Sequence, residues 1–133
     1  KYRPLPNRIS IVLTTKKQHQ QELNDEIESL SRYNKNNILY VVANIEQMKK
    51  CVDTILEKDE NKNKDVFIIG GASLYNNTIL RDLCTNFFVT QIDKDYKCTT
   101  KINTFDFTKY KSTLLKERIL EGVYVSWTKY EKW

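Results

Sequence analysis

The sequence is poor in several features that mark large classes of protein. Its 133 residues include 3 glycines and 1 histidine, and they contain neither a GxGxxG motif nor a Walker loop. The longest apolar runs, such as residues 9–13 and 66–69, are far shorter than the roughly 20 residues that cross a bilayer. No charged segment followed by an apolar one opens the sequence, so a secretory signal is unsupported. We therefore expect neither secretion nor a membrane partner.

The three cysteines favour free thiols. Cys51, Cys84 and Cys98 are odd in number and lack CxxC spacing, which disfavours both a disulfide framework and a zinc site. Reduced thiols are typical of the cytosol. His19 lies among glutamines, where a surface position is a better interpretation than general-base chemistry. We therefore expect a cytoplasmic protein without a metal site.

The charge of the chain is positive but diffuse. The net charge is +5 and the lysines are scattered rather than clustered. Two interpretations stay open: a solvated lysine-rich surface, or a field that attracts anionic small molecules. A nucleic-acid interface would call for a basic stripe interleaved with aromatic residues. Because no such stripe is visible, we expect no nucleic-acid partner.

The first part of the sequence predicts an alternation of strands and helices. Apolar, β-branched runs predict three parallel strands at residues 8–14, 38–42 and 66–69. Apolar residues at helical spacing predict two helices, one from Asn44 to about Lys58 and one over residues 72–80. Asn44 resembles an N-cap, with Gln47 completing a capping box. The polar residues 15–37 predict a loop or a short surface helix.

The remainder of the sequence predicts antiparallel strands. Alternating or aromatic-rich segments with no helix between them lie at residues 86–92, 109–115 and 123–130. Taken with the first part, they indicate one α/β domain over residues 1–133. We expect a mixed, mostly parallel sheet with flanking helices and an antiparallel C-terminal hairpin.

Residues 65–75 carry the clearest chemical signal. An apolar run ends in Gly70-Gly71, and a predicted helix begins at Ala72. Glycines lack the Cβ atoms that would keep a phosphate away from the backbone. A helix N-terminus adds unsatisfied N–H groups and the positive end of a dipole. On spacing alone, an ordinary strand-to-helix turn explains this segment equally well.

Four segments in collinear order resemble one known family. Residues 66–75 follow the pattern of four apolar residues, Gly-Gly, two variable residues, an apolar residue and Tyr. Residues 3–13 are similar to R-P-L-x-x-R-x-N-x-V-L, and residues 87–92 to an F-V-T-R-I strand. Residues 125–132 resemble a closing strand. Together these segments resemble the dihydrofolate reductase family and cover most of the chain.

The resemblance implies that the chain binds dihydrofolate and antifolate small molecules. Arg8 matches the arginine that pairs with the α-carboxylate of the folate glutamate tail, to which a guanidinium presents two parallel donors. Leu5 matches a residue that packs on the aminobenzoyl ring. Ile69 matches a residue lining the pterin pocket, and Thr90 one linked to the pterin through the catalytic acid and a water. Surface and core roles are the alternatives for Arg8 and Leu5.

The resemblance also implies NADPH as the cofactor. The loop that cradles its pyrophosphate matches Gly70, Gly71, Ala72, Ser73 and Leu74, with a cis peptide between the glycines in the family. Tyr75 matches a tyrosine near the nicotinamide. Thr14 and Thr15 fall where the family grips the 2′-phosphate with a serine or threonine and an arginine. Thr15 replaces that arginine, and Lys16 or Lys17 offers a point charge instead. Residues 99–103 depart from the family's D-T-F-F-P-like stretch.

One family segment has no match in this sequence. The family opens with a strand, a glycine-containing loop and a helix whose Asp or Glu supports protonation of the pterin N5. We therefore expect no catalytic residue in this chain, an N-terminally incomplete domain, and the N-terminal part of the same enzyme as its partner. Asp65, Asp93 and Asp95 are poor substitutes for the acid. The chain alone is expected to be inactive.

Three functions follow from these observations. The first is NADPH-dependent reduction of 7,8-dihydrofolate to tetrahydrofolate, with this chain as the C-terminal part of the enzyme. The second is a non-catalytic dinucleotide-binding module. The third is a reductase of the same fold that acts on another heterocycle, as in riboflavin biosynthesis. Arg8 favours folate over the third function.

Overall fold

The computed structural model describes residues 7–22, 24–25, 39–103 and 105–133. Contacts between residues divide the chain into two compact units, with the boundary between Asp65 and Val66. The expectation of a single domain stays a prediction.

The first unit contains a parallel pair of strands. Strand β1, Ser10–Leu13, pairs with strand β2, Leu39–Val42, in a register that places Ser10 opposite Leu39. The Thr14 amide donates to the Val42 carbonyl at 3.0 Å and extends the pairing beyond β1. Both predicted strands and their parallel orientation are confirmed.

Helix α1, Ile45–Glu57, begins at the predicted cap. The Asn44 carboxamide oxygen accepts from the Gln47 amide at 2.8 Å. The Gln47 side chain accepts in turn from the Ala43 amide at 2.9 Å, one residue before the amide that a capping box would use. Ile55 lies in the core at 6% exposure. Between β1 and β2, residues 17–22 are helical and mostly exposed, as predicted for a short surface helix.

The second unit contains an antiparallel sheet. Strand β3, Asn86–Ile92, and strand β4, Tyr110–Leu120, flank the central strand β5, Val123–Lys132. Strands β4 and β5 form a hairpin whose turn, Glu121–Gly122, has φ values of 50° and 78°, as tight hairpin turns require. The predicted β3 and the antiparallel C-terminal hairpin are confirmed. Strands β4 and β5 extend beyond the predicted ends.

Aromatic side chains pack along this sheet. Phe87 of β3 meets Phe105 edge-to-face at 4.7 Å between ring centroids, and Phe105 stacks on Phe107 at 5.0 Å. Phe107 stacks on Tyr130 of β5 at 4.1 Å. Each such pair contributes about 0.5–1.5 kcal/mol beyond the burial of its area. The cluster therefore ties the irregular segment around Phe105 to the sheet.

The predicted central strand at residues 66–69 is wrong. In the part of the chain that the structure describes, this segment belongs to neither sheet. Val66, Phe67 and Ile69 are 57%, 67% and 74% exposed. An apolar run becomes a strand only if neighbouring strands accept and donate its backbone hydrogen bonds. The expected mostly parallel sheet is therefore replaced by a parallel pair and an antiparallel triplet, whereas the mixed α/β class is confirmed.

The helix predicted over residues 72–80 is two short helices. Helix α2, Ala72–Tyr75, is a single turn, and helix α3, Thr78–Leu83, follows it. The Asn77 side chain accepts from the Leu80 amide at 3.1 Å and so caps a new helix. Asparagine favours such caps over helix interiors because its side chain competes for backbone hydrogen bonds. None of the helices in the described ranges is long and apolar enough to cross a bilayer.

Candidate functional site

The two glycines that precede α2 have different backbone conformations. The peptide bond between Gly70 and Gly71 is cis, as the resemblance implied. Gly70 has a φ of +118°, a value that residues with a Cβ rarely adopt. Gly71 is the N-cap of α2, with φ −84° and ψ −157°, which any residue can adopt. The backbone conformation therefore favours glycine at Gly70, whereas the conformation of Gly71 is open to any residue.

The backbone amides of this loop divide into two groups. The amides of Leu74 and Tyr75 both donate to the Gly71 carbonyl at 3.0 Å. The amides of Gly71, Ala72 and Ser73 donate to no acceptor within the described residues. The predicted phosphate cradle therefore narrows to three amides. Because α2 is one turn long, its dipole is small, and hydrogen bonds from these N–H groups would contribute most to the binding of an anion.

The space beside Gly71 is open. A Cβ atom built on Gly71 meets no heavy atom within 4 Å, whereas one built on Gly70 lies 3.4 Å from the Tyr75 hydroxyl oxygen. The Tyr75 ring therefore covers Gly70 and leaves Gly71 exposed. Three unpaired amides beside an open face form a cradle that a β-carbon would begin to fill. These residues fit the phosphates of a dinucleotide cofactor.

Thr14 and Thr15, the predicted 2′-phosphate residues, follow β1. The Thr14 hydroxyl accepts from the Lys16 amide at 3.3 Å, and its carbonyl accepts from the Gln20 side chain at 2.7 Å. Thr15, Lys16 and Lys17 are exposed. The Thr14 hydroxyl thus stabilises the turn into the helical residues and keeps a free hydrogen to donate. A role in phosphate binding stays a prediction.

The predicted substrate residues are dispersed along the chain. Arg8 is exposed in the first unit, and no carboxylate of the described residues pairs with it. Ile69 is 74% exposed, and Thr90 is exposed on β3 opposite Trp127. Leu5 lies outside the described residues. The grouping of these four residues into one pocket stays a prediction.

The described residues give little support to thiol chemistry or metal binding. Burial raises the pKa of the Cys51 and Cys84 thiols, which disfavours the reactive thiolate. All three cysteines are free. In the ranges that the structure covers, no group of His, Cys, Asp and Glu side chains is arranged to hold a metal ion.

Sequence reasoning missed two residues that contact the loop. The Arg81 guanidinium donates to the Tyr75 carbonyl, and the Asn76 carboxamide bonds to residues 101–103. The sequence predicts one continuous helix over residues 72–80, in which the Asn76 side chain would be an ordinary surface group, and Arg81 follows directly after the predicted end of that helix. The Asn76-Asn77 pair was the available signal, since consecutive asparagines are poor in helix interiors.

The sequence is similar to a known family and to individual members of it. The sequence model of the family described as dihydrofolate reductase matches residues 1–122. The bifunctional dihydrofolate reductase-thymidylate synthase of Plasmodium chabaudi is 29% identical over 119 residues, which cover 88% of this chain and 17% of that protein. The dihydrofolate reductase of Candida albicans is 28% identical over 105 residues, covering 79% of this chain and 44% of that protein. The chain therefore spans less than half the length of these relatives.

A solved structure supports the fold. The Schistosoma mansoni dihydrofolate reductase superposes with a TM-score of 0.63 at 21% identity. The match covers 98% of this chain and 65% of that one. At this identity the likeness shows the fold alone.

The two glycines should respond differently to alanine. Gly70→Ala should lower the free energy of unfolding by about 1–3 kcal/mol, because alanine is strained at positive φ. Gly71→Ala should leave it within about 0.5 kcal/mol, because its conformation and surroundings accept a methyl group. Urea unfolding of both variants measures the difference. Equal stabilities would contradict the loop geometry.

Proposed function

The chain belongs to the dihydrofolate reductase family, and from this premise we propose that it serves the NADPH-dependent reduction of 7,8-dihydrofolate to tetrahydrofolate. The supporting observation is the open cradle of unpaired amides at Gly71, Ala72 and Ser73. Because the chain covers part of its relatives' length, the complete activity is part of the proposal. Its free thiols agree with a cytoplasmic location.

In this proposal the chain holds and orients the cofactor. NADPH, when bound, supplies the hydride. The amides of Gly71, Ala72 and Ser73 donate to its pyrophosphate oxygens, and the exposed face of Gly71 lets the phosphates approach the backbone. Tyr75, whose ring covers Gly70, lies on the nicotinamide side. Thr14 and Thr15 bind the 2′-phosphate, with help from the exposed lysines beside them.

Gly71→Val tests the cradle directly. The branched side chain would occupy the open face, so NADPH affinity should fall by roughly tenfold or more, equivalent to about 1.4 kcal/mol. Calorimetric titration with NADPH measures the change. Ser112→Val is the control, because Ser112 is exposed on β4, where a β-branched side chain suits the strand. A folded Gly71→Val chain with unchanged affinity would rule out the cradle as the cofactor site.

For the substrate, we propose that Arg8 binds the glutamate tail of the folate. An exposed guanidinium with no carboxylate partner among the described residues is free to pair with one from a ligand. Ile69 and Leu5 supply apolar contacts to the pterin and aminobenzoyl groups. Thr90 contacts the pterin through a water and the catalytic acid.

Arg8→Leu should discriminate between ligands. Folates that carry a glutamate tail should lose about 1.5–3 kcal/mol of binding, the range for hydrogen bonds to charged groups. Small antifolates without that tail should lose much less. Arg118→Leu, an exposed position on β4, is the control. Equal losses for both kinds of ligand would show that Arg8 has a structural role only.

We further propose that these 133 residues do not supply the acid that protonates the pterin N5. The candidate carboxylates Asp65, Asp93 and Asp95 are all exposed. A general acid must lie within hydrogen-bond reach of the atom that it protonates, and a solvent-exposed carboxylate has no surrounding packing that would hold it in such a position.

The isolated 133-residue chain should therefore bind NADPH without reducing dihydrofolate at a useful rate. A positioned acid typically contributes roughly 10²–10⁴-fold, so the deficit should be of that order. NADPH oxidation followed by absorbance measures turnover, and addition of a polypeptide carrying the acidic helix should restore it. Robust turnover by the chain alone would show that one of its own carboxylates does the work. A chain that binds NADPH but is not rescued would support a binding module instead.

A further inference from the structure

The Arg81 side chain joins three separate points of the second unit. Its Nε donates to the Tyr75 carbonyl at the end of α2. A terminal guanidinium nitrogen donates to the Asn103 carbonyl at 3.0 Å and to the Asn76 Oδ1 at 3.4 Å. The guanidinium also lies over the Phe105 ring, 4.7 Å from its centroid. One planar cation thus holds the helix end and the segment around Asn103 together.

The Asn76 carboxamide completes the connection. Its Oδ1 accepts from the Asn103 amide at 2.6 Å, and its Nδ2 donates to the Lys101 carbonyl at 3.1 Å. These bonds join residues 25 and 27 positions apart in the sequence. Among the described residues, the side-chain hydrogen bonds that join α2 and Asn76 to distant sequence all involve Asn76 or Arg81. We call these two residues the Arg81–Asn76 brace.

Helix α2 depends on such an attachment. A single turn has a costly nucleus and too few hydrogen bonds to be stable alone. Its internal bonds run from the amides of Leu74 and Tyr75 to the Gly71 carbonyl. The brace grips the other end of this turn, at the Tyr75 carbonyl. The direction of the unpaired amides at the start of α2 therefore depends on the brace at its end.

The brace contacts the facing segment, residues 101–103, through backbone atoms alone. Arg81 and Asn76 contact the backbone of Lys101 and Asn103 rather than their side chains. Backbone carbonyls and amides are present whatever residues occupy these positions. The attachment therefore needs Arg81 and Asn76 but does not need the family's residues in the facing loop.

We propose that Arg81 and Asn76 are positioning residues for the dinucleotide phosphates. They act through α2, by holding the amides of Gly71, Ala72 and Ser73 in the direction that the phosphate oxygens require. Neither side chain touches the cofactor. The inference rests on the proposed function, since it assigns these amides to NADPH. Preorganised donors bind more tightly because little ordering is left to be done on association.

The test compares Arg81→Met with Arg118→Met in the 133-residue chain. Both replace an arginine by an unbranched, uncharged side chain that keeps its apolar stem, but Arg118 is exposed on β4 and outside the brace. NADPH affinity should fall by roughly tenfold in Arg81→Met and stay unchanged in Arg118→Met. Amide hydrogen exchange of Leu74 and Tyr75 should accelerate by a similar factor in Arg81→Met alone, because their bonds to Gly71 open more often.

A double-variant comparison separates the brace from general stability. Asn76→Leu should weaken NADPH binding as well, and Arg81→Met with Asn76→Leu should be no worse than roughly the larger single effect, because both remove one connection. Fully additive losses would overturn the shared brace. If Arg81→Met does not fold, Arg81→Lys replaces it, since lysine keeps the charge but lacks the planar fork.

The outcomes distinguish the brace from the proposed function. Unchanged NADPH affinity in a folded Arg81→Met chain overturns the positioning role. If the unmodified chain does not bind NADPH, the proposed function fails and the cofactor role of the brace fails with it. Hydrogen exchange then still decides whether the brace orders α2, because faster exchange supports it and unchanged exchange overturns it.

Discussion

A backbone N–H group without an acceptor in the protein bonds to water or to a ligand, and the proposed cofactor site depends on three such groups. The amides of Gly71, Ala72 and Ser73 lie at the start of α2, where no preceding helical turn offers a carbonyl, and none of the described residues accepts from them. Because Gly71 has no Cβ, the space beside them is open. The combination is suited to oxygen atoms that carry negative charge. The positive charge of the chain, +5 overall, is compatible with the approach of such a ligand.

The surrounding residues fix this arrangement from two sides. On one side, Gly70 adopts a positive φ beneath the Tyr75 ring, which turns the chain into α2. On the other, Arg81 and Asn76 hold the end of α2 to residues 101–103. Gly70 therefore provides the positive φ, and Gly71 leaves open the space through which a ligand would approach the amides. A helix of ordinary length would have oriented its first amides by its own hydrogen bonds, whereas this one depends on side chains elsewhere.

The sequence predicted the elements whose determinants are local, and it was wrong about one apolar run that has no neighbouring strand to pair with. The α1 cap at Asn44 and strand β3 were predictable because side chain and periodicity specify them within a few residues. The apolar run at residues 66–69 looked like a central strand, but strand formation depends on neighbours that the run does not contain. Arg81 was missed because it bonds to backbone carbonyls, which every residue has, so the sequence does not indicate which residues are its partners. The assignment of residues 70–74 to a pyrophosphate loop stays a proposal that rests on family resemblance, since their spacing alone is explained equally well by an ordinary strand-to-helix turn.

The central claim is that the unpaired amides of Gly71, Ala72 and Ser73 receive the cofactor phosphates. Titration of isotope-labelled chain with NADPH, followed by amide chemical shifts, tests it residue by residue. We expect the largest shifts at these three amides and smaller ones at Leu74 and Tyr75, which already donate to the Gly71 carbonyl. Adenosine 2′-monophosphate, which lacks the pyrophosphate, should leave the chemical shifts of the three amides unchanged. Saturable NADPH binding with no shift at these amides would contradict the account.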